Sequence, residues 1–401
     1  MPLLKTFPPP KSNRPGNKFF ASVIVIGVLV LIAIWWREKP AHPIKKVSEK
    51  TSPVVQKSKT VFAPTQVLVM TKTNLPANRL SNVVSTSPVE VRAVAPPVVV
   101  QTNLIRTTVS ATSGFAPRPV QNILEAQLAL ARQGISAGSI DGVIGSQTRA
   151  ALQAFQLREK LPITGELDAA TKSKLLLAAP SYGQFVVTPN HVAQLRPLGT
   201  NWLSKSQQDH LAYETILEMI AEKSCCSPTF LRQLNPSVDW TNIIAGVTLR
   251  VPVVEKPKPS ETAAFVRVSL SAKNLKAFDA ETNLLAHFPC SIAAKVEKRP
   301  VGALFVEKIA VDPDYTFDPE NFPESPEARN LKTKLILSPG PNNPVGTVWI
   351  GLNKPGYGIH GTPKPEEVGR TESHGCLRLA NWNAEYLVRL VTVGTPVFVE
   401  P

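Results

Sequence analysis

An uncharged apolar run near the start of the sequence divides the chain into two parts that fold in different surroundings. Residues 19–36 contain no charged side chain, and aromatic residues stand at both ends of the run. At a rise of about 1.5 Å per residue, a helix of this length just reaches across a hydrocarbon core of roughly 30 Å. Terminal aromatic residues suit the two membrane interfaces. The run therefore predicts a transmembrane helix rather than a buried helix of a folded domain.

The flanks of this run bear on its orientation. Lysine and arginine occur on both sides, so the positive-inside contrast is weak. A cleaved signal peptide is the alternative, but the apolar part is long for one and no Ala-x-Ala site follows closely. We expect an uncleaved single-pass anchor in the cell membrane. Residues 1–18 would then be cytoplasmic and the remainder extracytoplasmic, on the periplasmic or cell-wall side.

The segment after the anchor differs in composition from the rest of the chain. Residues 37–118 are rich in Pro, Val, Thr and Ser and keep no helical or alternating period, which predicts a disordered tether. Residues 1–118 hold 16 Lys and Arg against three acidic residues, whereas residues 119–401 hold 28 against 27. Of the net charge of +14, +13 thus belongs to the membrane-proximal part. A nucleic-acid-binding face on the folded part is not expected.

From residue 119 the pattern becomes helical. Residues 141–148 read Asp-Gly-Val-Ile-Gly-Ser-Gln-Thr. Residues 164–171 partly repeat this pattern as Thr-Gly-Glu-Leu-Asp-Ala-Ala-Thr. In both, a glycine starts a turn, an aliphatic side chain fills the core and a short polar residue can cap a helix. Residues 119–178 resemble the peptidoglycan-binding type 1 domain, a small three-helix module. The resemblance implies binding of glycan or stem peptide; a structural spacer is the alternative.

A second small unit is predicted at residues 210–254, after a connector at 179–209. Two helical patterns are separated by Ser227-Pro228, and Asn235-Pro236 ends the second before a closing strand. This α+β pattern resembles a LysM module, which binds glycans containing N-acetylglucosamine. The opening strand usual in that module is not apparent in the sequence. Residues 255–262 read as a linker.

The last region, residues 263–401, alternates with a period of two. Six strand candidates and one helix, at residues 381–391, predict a β-rich sandwich or barrel-like domain. The whole chain is therefore expected to be multidomain. Its four cysteines, Cys225, Cys226, Cys290 and Cys376, are too few for a disulfide scaffold, and the redox state of the first three stays open.

Chemistry is indicated by residues 373–378, which read Ser-His-Gly-Cys-Leu-Arg, and by His360-Gly361 upstream. A thiol acts as a nucleophile when a base or local positive potential produces its thiolate. Here two histidines, His360 and His374, are candidates for that base. A zinc site is the alternative, but no carboxylate or second cysteine stands at ligand spacing.

These motifs, with residues 299–305 and 339–346, closely resemble the catalytic domain of L,D-transpeptidases. The resemblance implies that Cys376 is the nucleophile and His360 its proton acceptor and donor, oriented by the backbone carbonyl of Gly361. It also implies oxyanion donors in the backbone N–H groups of His374, Gly375 and Cys376. Supporting roles in the loop or toward a substrate carboxylate fall to Ser373 and Arg378. His374 as the base is the alternative, and the family pattern favours His360.

The resemblance implies a peptidoglycan transpeptidase that forms 3→3 cross-links between stem peptides in cell-wall biogenesis and remodelling. Its partners would be stem peptides, glycan strands and, through residues 19–36, the membrane. No metal or organic cofactor is implied, and a monomer is expected. Two alternative enzymes would use the same catalytic residues: an L,D-carboxypeptidase, and a lipoprotein-to-peptidoglycan transferase or hydrolase. A third alternative is a non-catalytic tether that only binds the cell wall.

Overall fold

The computed structural model describes residues 114–401 apart from His374. The predicted cytoplasmic segment 1–18, the predicted anchor 19–36 and most of the predicted tether lie outside the described residues. Within the described part of the chain, no helix combines the length and the apolar character that a membrane span requires.

The first module consists of three short helices and one pair of very short strands. The strand β1 (Arg118–Pro119) pairs antiparallel with β2 (Leu176–Leu177), and between them lie the helices α1 (Ile123–Ala131), α2 (Ser146–Arg158) and α3 (Ala169–Lys174). The three-helix prediction is thereby confirmed. Arg118, the residue before the predicted start of the module, belongs to β1 and forms an ion pair with Glu125 at 2.6 Å.

The repeat seen in the sequence corresponds to two turns that are each held by a buried glutamine. The side-chain carbonyl of Gln127 accepts from the backbone N–H of Gly142 at 2.8 Å, and its amide donates to Thr148 Oγ1 at 3.1 Å. Gln156 makes the same two contacts in the second copy of the motif: its side-chain carbonyl accepts from Gly165 N, and its amide donates to Thr171 Oγ1. Both copies of the motif are therefore closed by the same hydrogen-bonding device.

The second unit extends further toward the N-terminus than predicted. It comprises β3 (Tyr182–Val186), α4 (Pro189–Ala193), α5 (Trp202–Ser206), α6 (Ile216–Lys223), α7 (Pro228–Leu234) and β4 (Thr248–Pro252). Strand β3 pairs antiparallel with β4 along its whole length, so the segment predicted as a connector supplies the opening strand. The strand is short and contains a glycine, which weakens its sequence signal. We call residues 182–252 the middle unit.

The boundaries of α7 follow local chemistry. Ser227 precedes the helix and Pro228 occupies its first position, as the sequence predicts, although the Ser227 side chain makes no capping hydrogen bond. Asn235 ends the helix because its side chain bonds across to the closing strand. Its amide donates to Arg250 O at 2.9 Å, and its carbonyl accepts from Arg250 N at 2.7 Å. The Asn-Pro stop thereby ties α7 to β4.

The C-terminal domain is β-rich, as predicted. Its strands are β5 (Phe265–Ser269), β6 (Asn274–Phe278), β7 (Leu284–Pro289), β8 (Gly302–Val311), β9 (Tyr315–Phe317), β10 (Leu335–Leu337), β11 (Val348–Leu352), β12 (Gly358–His360), β13 (Leu377–Arg378) and β14 (Pro396–Glu400). Two helices, α8 (Pro326–Asn330) and α9 (Asn381–Leu387), complete it. Helix α9 ends at Leu387, four residues before the predicted end.

One mixed sheet organises this domain. Within the described residues its order is β13-β12-β11-β8-β14-β5-β6-β7, and the long strand β8 pairs with β14 through its first half and with β11 through its second. The two edges approach each other through a bridge between Ser291, after β7, and Arg378 of β13. Because this bridge joins the edges, the sheet curls in the barrel-like manner that the sequence predicts. The strands β9 and β10 form a separate hairpin.

The three modules are joined by partly buried hydrogen bonds. Arg132 of the first module donates to Ala179 O, Pro180 O and Val253 O at 2.9, 2.8 and 2.7 Å, at the end of the strand pair where β3 begins and β4 ends. Gln147 donates to Val368 O of the C-terminal domain at 2.6 Å. The predicted linker is also attached, through an ion pair of 2.8 Å between Lys256 and Glu385.

Candidate active site

His360 ends β12, and Cys376 directly precedes β13, the parallel neighbour of β12. Strand β12 pairs with β13 so that Ile359 is level with Leu377, and both of these side chains enter the core. Since side chains alternate along a strand, His360 belongs to the opposite face of β12. Cys376 lies in the bend directly before Leu377, at the end of the ladder where β12 begins.

The imidazole of His360 is held by the backbone of the next residue. Nδ1 lies 2.6 Å from Gly361 O, and the side chain is buried. A carbonyl oxygen only accepts, so Nδ1 carries the hydrogen and Nε2 presents its lone pair. Burial lowers the pKa of His360 to about 4, and the bond to Gly361 opposes that shift. The imidazole is therefore neutral at pH 7 and able to accept a proton at Nε2.

Cys376 differs from the other three cysteines in its accessibility. It is partly exposed, whereas Cys225, Cys226 and Cys290 are buried, and burial raises the pKa of each of those three to about 12. The Cys376 Sγ lies 3.4 Å from Gly356 O. Burial raises its pKa as well, and a hydrogen bond from the backbone of Gly358 works in the opposite direction. Both the Cys376 thiol and the His360 imidazole are therefore neutral at pH 7. Attack by the sulfur then requires transfer of the thiol proton to a base.

The loop before Cys376 is fixed by backbone and side-chain contacts. Ser373 N donates to Ile292 O at 2.8 Å, and Ser373 Oγ donates to Cys376 O at 2.5 Å. The N–H of Gly375 points to Ser373 Oγ over a long 3.4 Å. Arg378 Nη2 donates to Thr371 Oγ1 at 2.7 Å, which braces the same loop. His374 lies outside the described residues.

Two aromatic side chains near the site were not predicted from the sequence. Trp349 of β11 stacks on His360, with ring centroids 5.7 Å apart and planes inclined by 22°. Tyr315 of β9 is close enough for the charge of a Cys376 thiolate to help raise its pKa to about 12, after the larger effect of burial. Trp349 reaches the site through the register of β11 with β12, and Tyr315 through the hairpin of β9 and β10. Neither feature can be read from a single sequence.

Asn381, also missed, fixes the chain directly after His360-Gly361. Its Oδ1 accepts from the backbone N–H of Thr362 at 2.8 Å and of Thr347 at 3.3 Å. Its Nδ2 donates to both carboxylate oxygens of Glu222 at 3.1 Å. Glu222 belongs to α6 of the middle unit, so the surroundings of the site extend beyond the C-terminal domain.

The zinc alternative raised by the sequence needs His360, His374 and Cys376 together, and His374 lies outside the described residues. Among the described residues, no three His, Cys, Asp or Glu side chains form a group able to hold a metal ion. The partly exposed thiol of Cys376 before β13 and the carbonyl-held imidazole of His360 on the neighbouring strand β12 indicate the site of a cysteine acyltransferase.

Comparison with known proteins gives this class a family. Residues 263–399 match the L,D-transpeptidase catalytic domain, and residues 119–175 match a putative peptidoglycan-binding domain. The C-terminal region is therefore an L,D-transpeptidase catalytic domain, the domain of cysteine transpeptidases, and a peptidoglycan-binding domain precedes it in the chain. No family match supports the LysM-like assignment, which stays a prediction.

Individual relatives carry the same description. A putative L,D-transpeptidase of Bacillus licheniformis is 25% identical over 186 residues, covering 46% of this chain and 93% of that protein. A second from Bacillus subtilis is 40% identical over 73 residues, covering 17% and 42%. Among solved structures, L,D-transpeptidase 3 from Mycobacterium tuberculosis is 16% identical and covers 40% of this chain and 77% of that one, with a TM-score of 0.28.

Proposed function

We propose that this protein is a peptidoglycan L,D-transpeptidase that makes 3→3 cross-links between stem peptides through a cysteine acyl-enzyme. The observation that carries the proposal is the site itself. The partly exposed thiol of Cys376 directly precedes β13, which pairs in parallel with the strand that ends in His360, and Nδ1 of His360 is occupied by Gly361 O. This occurs within a domain that matches the L,D-transpeptidase family.

In the proposed reaction the Cys376 thiol gives its proton to His360 Nε2 while Sγ attacks the carbonyl carbon of the third stem residue. The bond to the terminal D-alanine then breaks, and the imidazolium returns the proton to the leaving amine. The side-chain amine of a neighbouring stem attacks the thioester, forms the new amide and releases the thiol. General acid–base help of this kind typically contributes about 10²–10⁴-fold in rate.

Charge that develops on the substrate oxygen needs donors in the loop of residues 374–376. The proposal assigns this role to the backbone N–H groups of His374, Gly375 and Cys376. The long contact of 3.4 Å between Gly375 N and Ser373 Oγ supports it, because so weak a bond is readily exchanged for one to an oxyanion. One such donor contributes about 10²–10³-fold. Ser373 and Arg378 keep the loop in place.

The remaining parts fit a protein that works on the cell wall. Residues 119–175 match a peptidoglycan-binding domain, which would hold the enzyme on its polymer. The pairing of β3 with β4, with the helices α6 and α7 between them in the chain, supports a LysM-like glycan contact. We extend the proposal to anchoring of a monomer in the cell membrane by residues 19–36, with the body extracytoplasmic. The uncharged run supports this part.

The decisive experiment incubates the detergent-solubilised full chain with disaccharide-tetrapeptide muropeptides and determines product masses. A dimer lacking one D-alanine is expected, and C376A should form none. Tripeptide monomers alone would instead establish a carboxypeptidase, and unchanged substrate would leave a wall-binding tether. The H360A and H374A variants separate the two candidate bases. Normal acylation of Cys376 in H360A would contradict the assignment of His360.

A further inference from the structure

We infer that Glu222 and Asn381 are positioning residues for His360, so that the active site is completed by the middle unit. Nothing in the motifs of the catalytic domain includes Glu222, which lies on α6, about 140 residues before His360 in the sequence. The inference rests on the proposed role of His360 as the base of the reaction.

The first link runs from His360 to Asn381. The carbonyl that holds Nδ1 belongs to Gly361, and the peptide that follows it ends in Thr362 N, which donates to Asn381 Oδ1 at 2.8 Å. On the other side of Gly361, its own N–H donates to Val348 O at 3.1 Å. The peptide that orients the imidazole is thereby fixed at both ends, by β11 and by the Asn381 amide.

The packing around this amide leaves no free space. A Cβ on Gly361 or on Gly346 would collide with Asn381 Oδ1, and Gly346 adopts a φ of +64° that favours glycine. Asn381 is fully buried at the start of α9. A rotation of its amide would therefore displace Gly361 or Thr362, and a displacement of about 1 Å in a catalytic group can reduce rate about 10²-fold.

The second link runs from Asn381 to Glu222. Both carboxylate oxygens of Glu222 accept from Asn381 Nδ2 at 3.1 Å, and Tyr213 donates its hydroxyl to Oε1 at 3.0 Å. An ionised carboxylate only accepts, so it requires the amide nitrogen of Asn381 to face it. Oδ1 is thereby turned toward Thr362 and Thr347. The other acceptor near Nδ2, Pro341 O, lies at a longer 3.4 Å.

The ionisation of Glu222 sets the conditions for a test. Burial raises its pKa to about 7, the hydrogen bonds from Asn381 and Tyr213 oppose that rise, and the charges of Glu385 and Glu218 add to it. At pH 8 the carboxylate form predominates, so the variants are compared there.

The same helix offers a matched control. Glu218, one turn before Glu222, accepts from Asn342 Nδ2 of the catalytic domain at 2.7 Å. This contact has the same chemistry and crosses the same interface, but Asn342 does not bond to the His360–Thr362 segment. Loss of Glu218 therefore weakens the interface without releasing Gly361.

The experiment measures kcat and KM of the full chain for muropeptide cross-linking at pH 8, per active site titrated by Cys376 labelling. We expect E222L and N381D each to lower kcat roughly 10–100-fold with little change in KM. E222Q retains an acceptor toward Asn381 and should stay within about 3-fold of wild type, as should the control E218L. The double variant E222Q/N381D restores a complementary pair with donor and acceptor exchanged, and we expect it to recover most of the rate lost in N381D.

A second readout does not depend on the substrate. Iodoacetamide alkylates Cys376 in preference to the buried thiols, and its pH profile in E222L should move from that of wild type toward that of H360A. A folded E222L with wild-type kcat, or E218L with an equal loss, would overturn the inference. If wild type forms no cross-links, the proposed function fails and the alkylation profiles decide the inference alone. Coincident profiles of E222L and wild type, or of H360A and wild type, then count against it.

Discussion

At the scale of single residues, the pKa of His360 determines the pH range in which the proposed reaction can occur. Its side chain is buried and its pKa is lowered to about 4, so the ring loses its proton well below the ordinary value near 6.5. Because the proposed reaction uses the neutral ring as the proton acceptor, we expect the reactive form to persist down to about pH 5. We expect the acidic limb of kcat/KM for Cys376 acylation to fall near pH 4.

This prediction is checked by stopped-flow or mass-spectrometric acylation rates between pH 3.5 and 8. Unfolding at low pH is controlled for by circular dichroism of the same samples. An acidic limb centred near pH 6.5 would mean that His360 is solvated in the working enzyme, in contrast to its burial here.

The proposed catalytic residues could be predicted from the sequence, whereas the residues that contact and orient them could not. Cys376, His360 and Gly361 stand in short motifs, because a nucleophile, its loop and the carbonyl beside a base are neighbours along the chain. Trp349, Asn381 and Glu222 reach the site through strand register and packing between modules. Such contacts leave no local pattern, so they could not be predicted from one sequence.

At the scale of elements, the pairing of β11 with β12 requires a glycine beside the thiol. A Cβ on Gly358 would lie 2.7 Å from the Trp349 ring and 2.9 Å from Ile350 O. The ring that stacks on His360 would therefore have to move. We expect G358A to lower the acylation rate of Cys376 about 10-fold and to destabilise the fold by about 1–3 kcal/mol, as overpacking typically does.

Acylation kinetics and urea unfolding of G358A test both parts. The control is G145A, since a Cβ on Gly145 meets no atom within 4 Å. An unchanged acylation rate in a folded G358A would show that the position of the Trp349 ring does not matter for the chemistry.

Elements with strong periodicity were predicted well and weak ones were not. The strands that the sequence predicts at residues 265–270, 275–278 and 347–352 agree within one residue with β5, β6 and β11, because side chains of each enter a core. Strand β3 was missed, since it has five residues, one of them glycine, and two short helices separate it from α6. Its partner β4 was found, but pairing across more than 60 residues has no signature in either strand.

At the scale of the whole molecule, Arg132 joins the first module to the middle unit. Its guanidinium donates to three carbonyl oxygens at the ends of β3 and β4, at 2.7–2.9 Å. Hydrogen bonds from charged donors contribute about 1.5–3 kcal/mol each and are not additive. We expect R132M to lower the free energy of unfolding by about 2–4 kcal/mol.

Urea unfolding followed by tryptophan fluorescence and by circular dichroism measures this loss. The control is R149M, which removes an exposed ion pair to Glu166 and should change stability by less than about 1 kcal/mol. If the modules are coupled as described, both signals shift together. Separate transitions in R132M alone would localise the coupling to this side chain, and equal effects of the two variants would refute it.

The place of β14 has a consequence for biosynthesis. Residues 396–400 lie between β8 and β5 in the sheet, although the ribosome makes them after every other strand named here. At about 5–20 residues per second, β5 waits on the order of ten seconds for this partner. Until then the nascent polypeptide holds two half-sheets with unpaired edges, which invite association with other chains. A holding chaperone, or a translocation channel that delays folding until synthesis is complete, would therefore raise the yield of active enzyme.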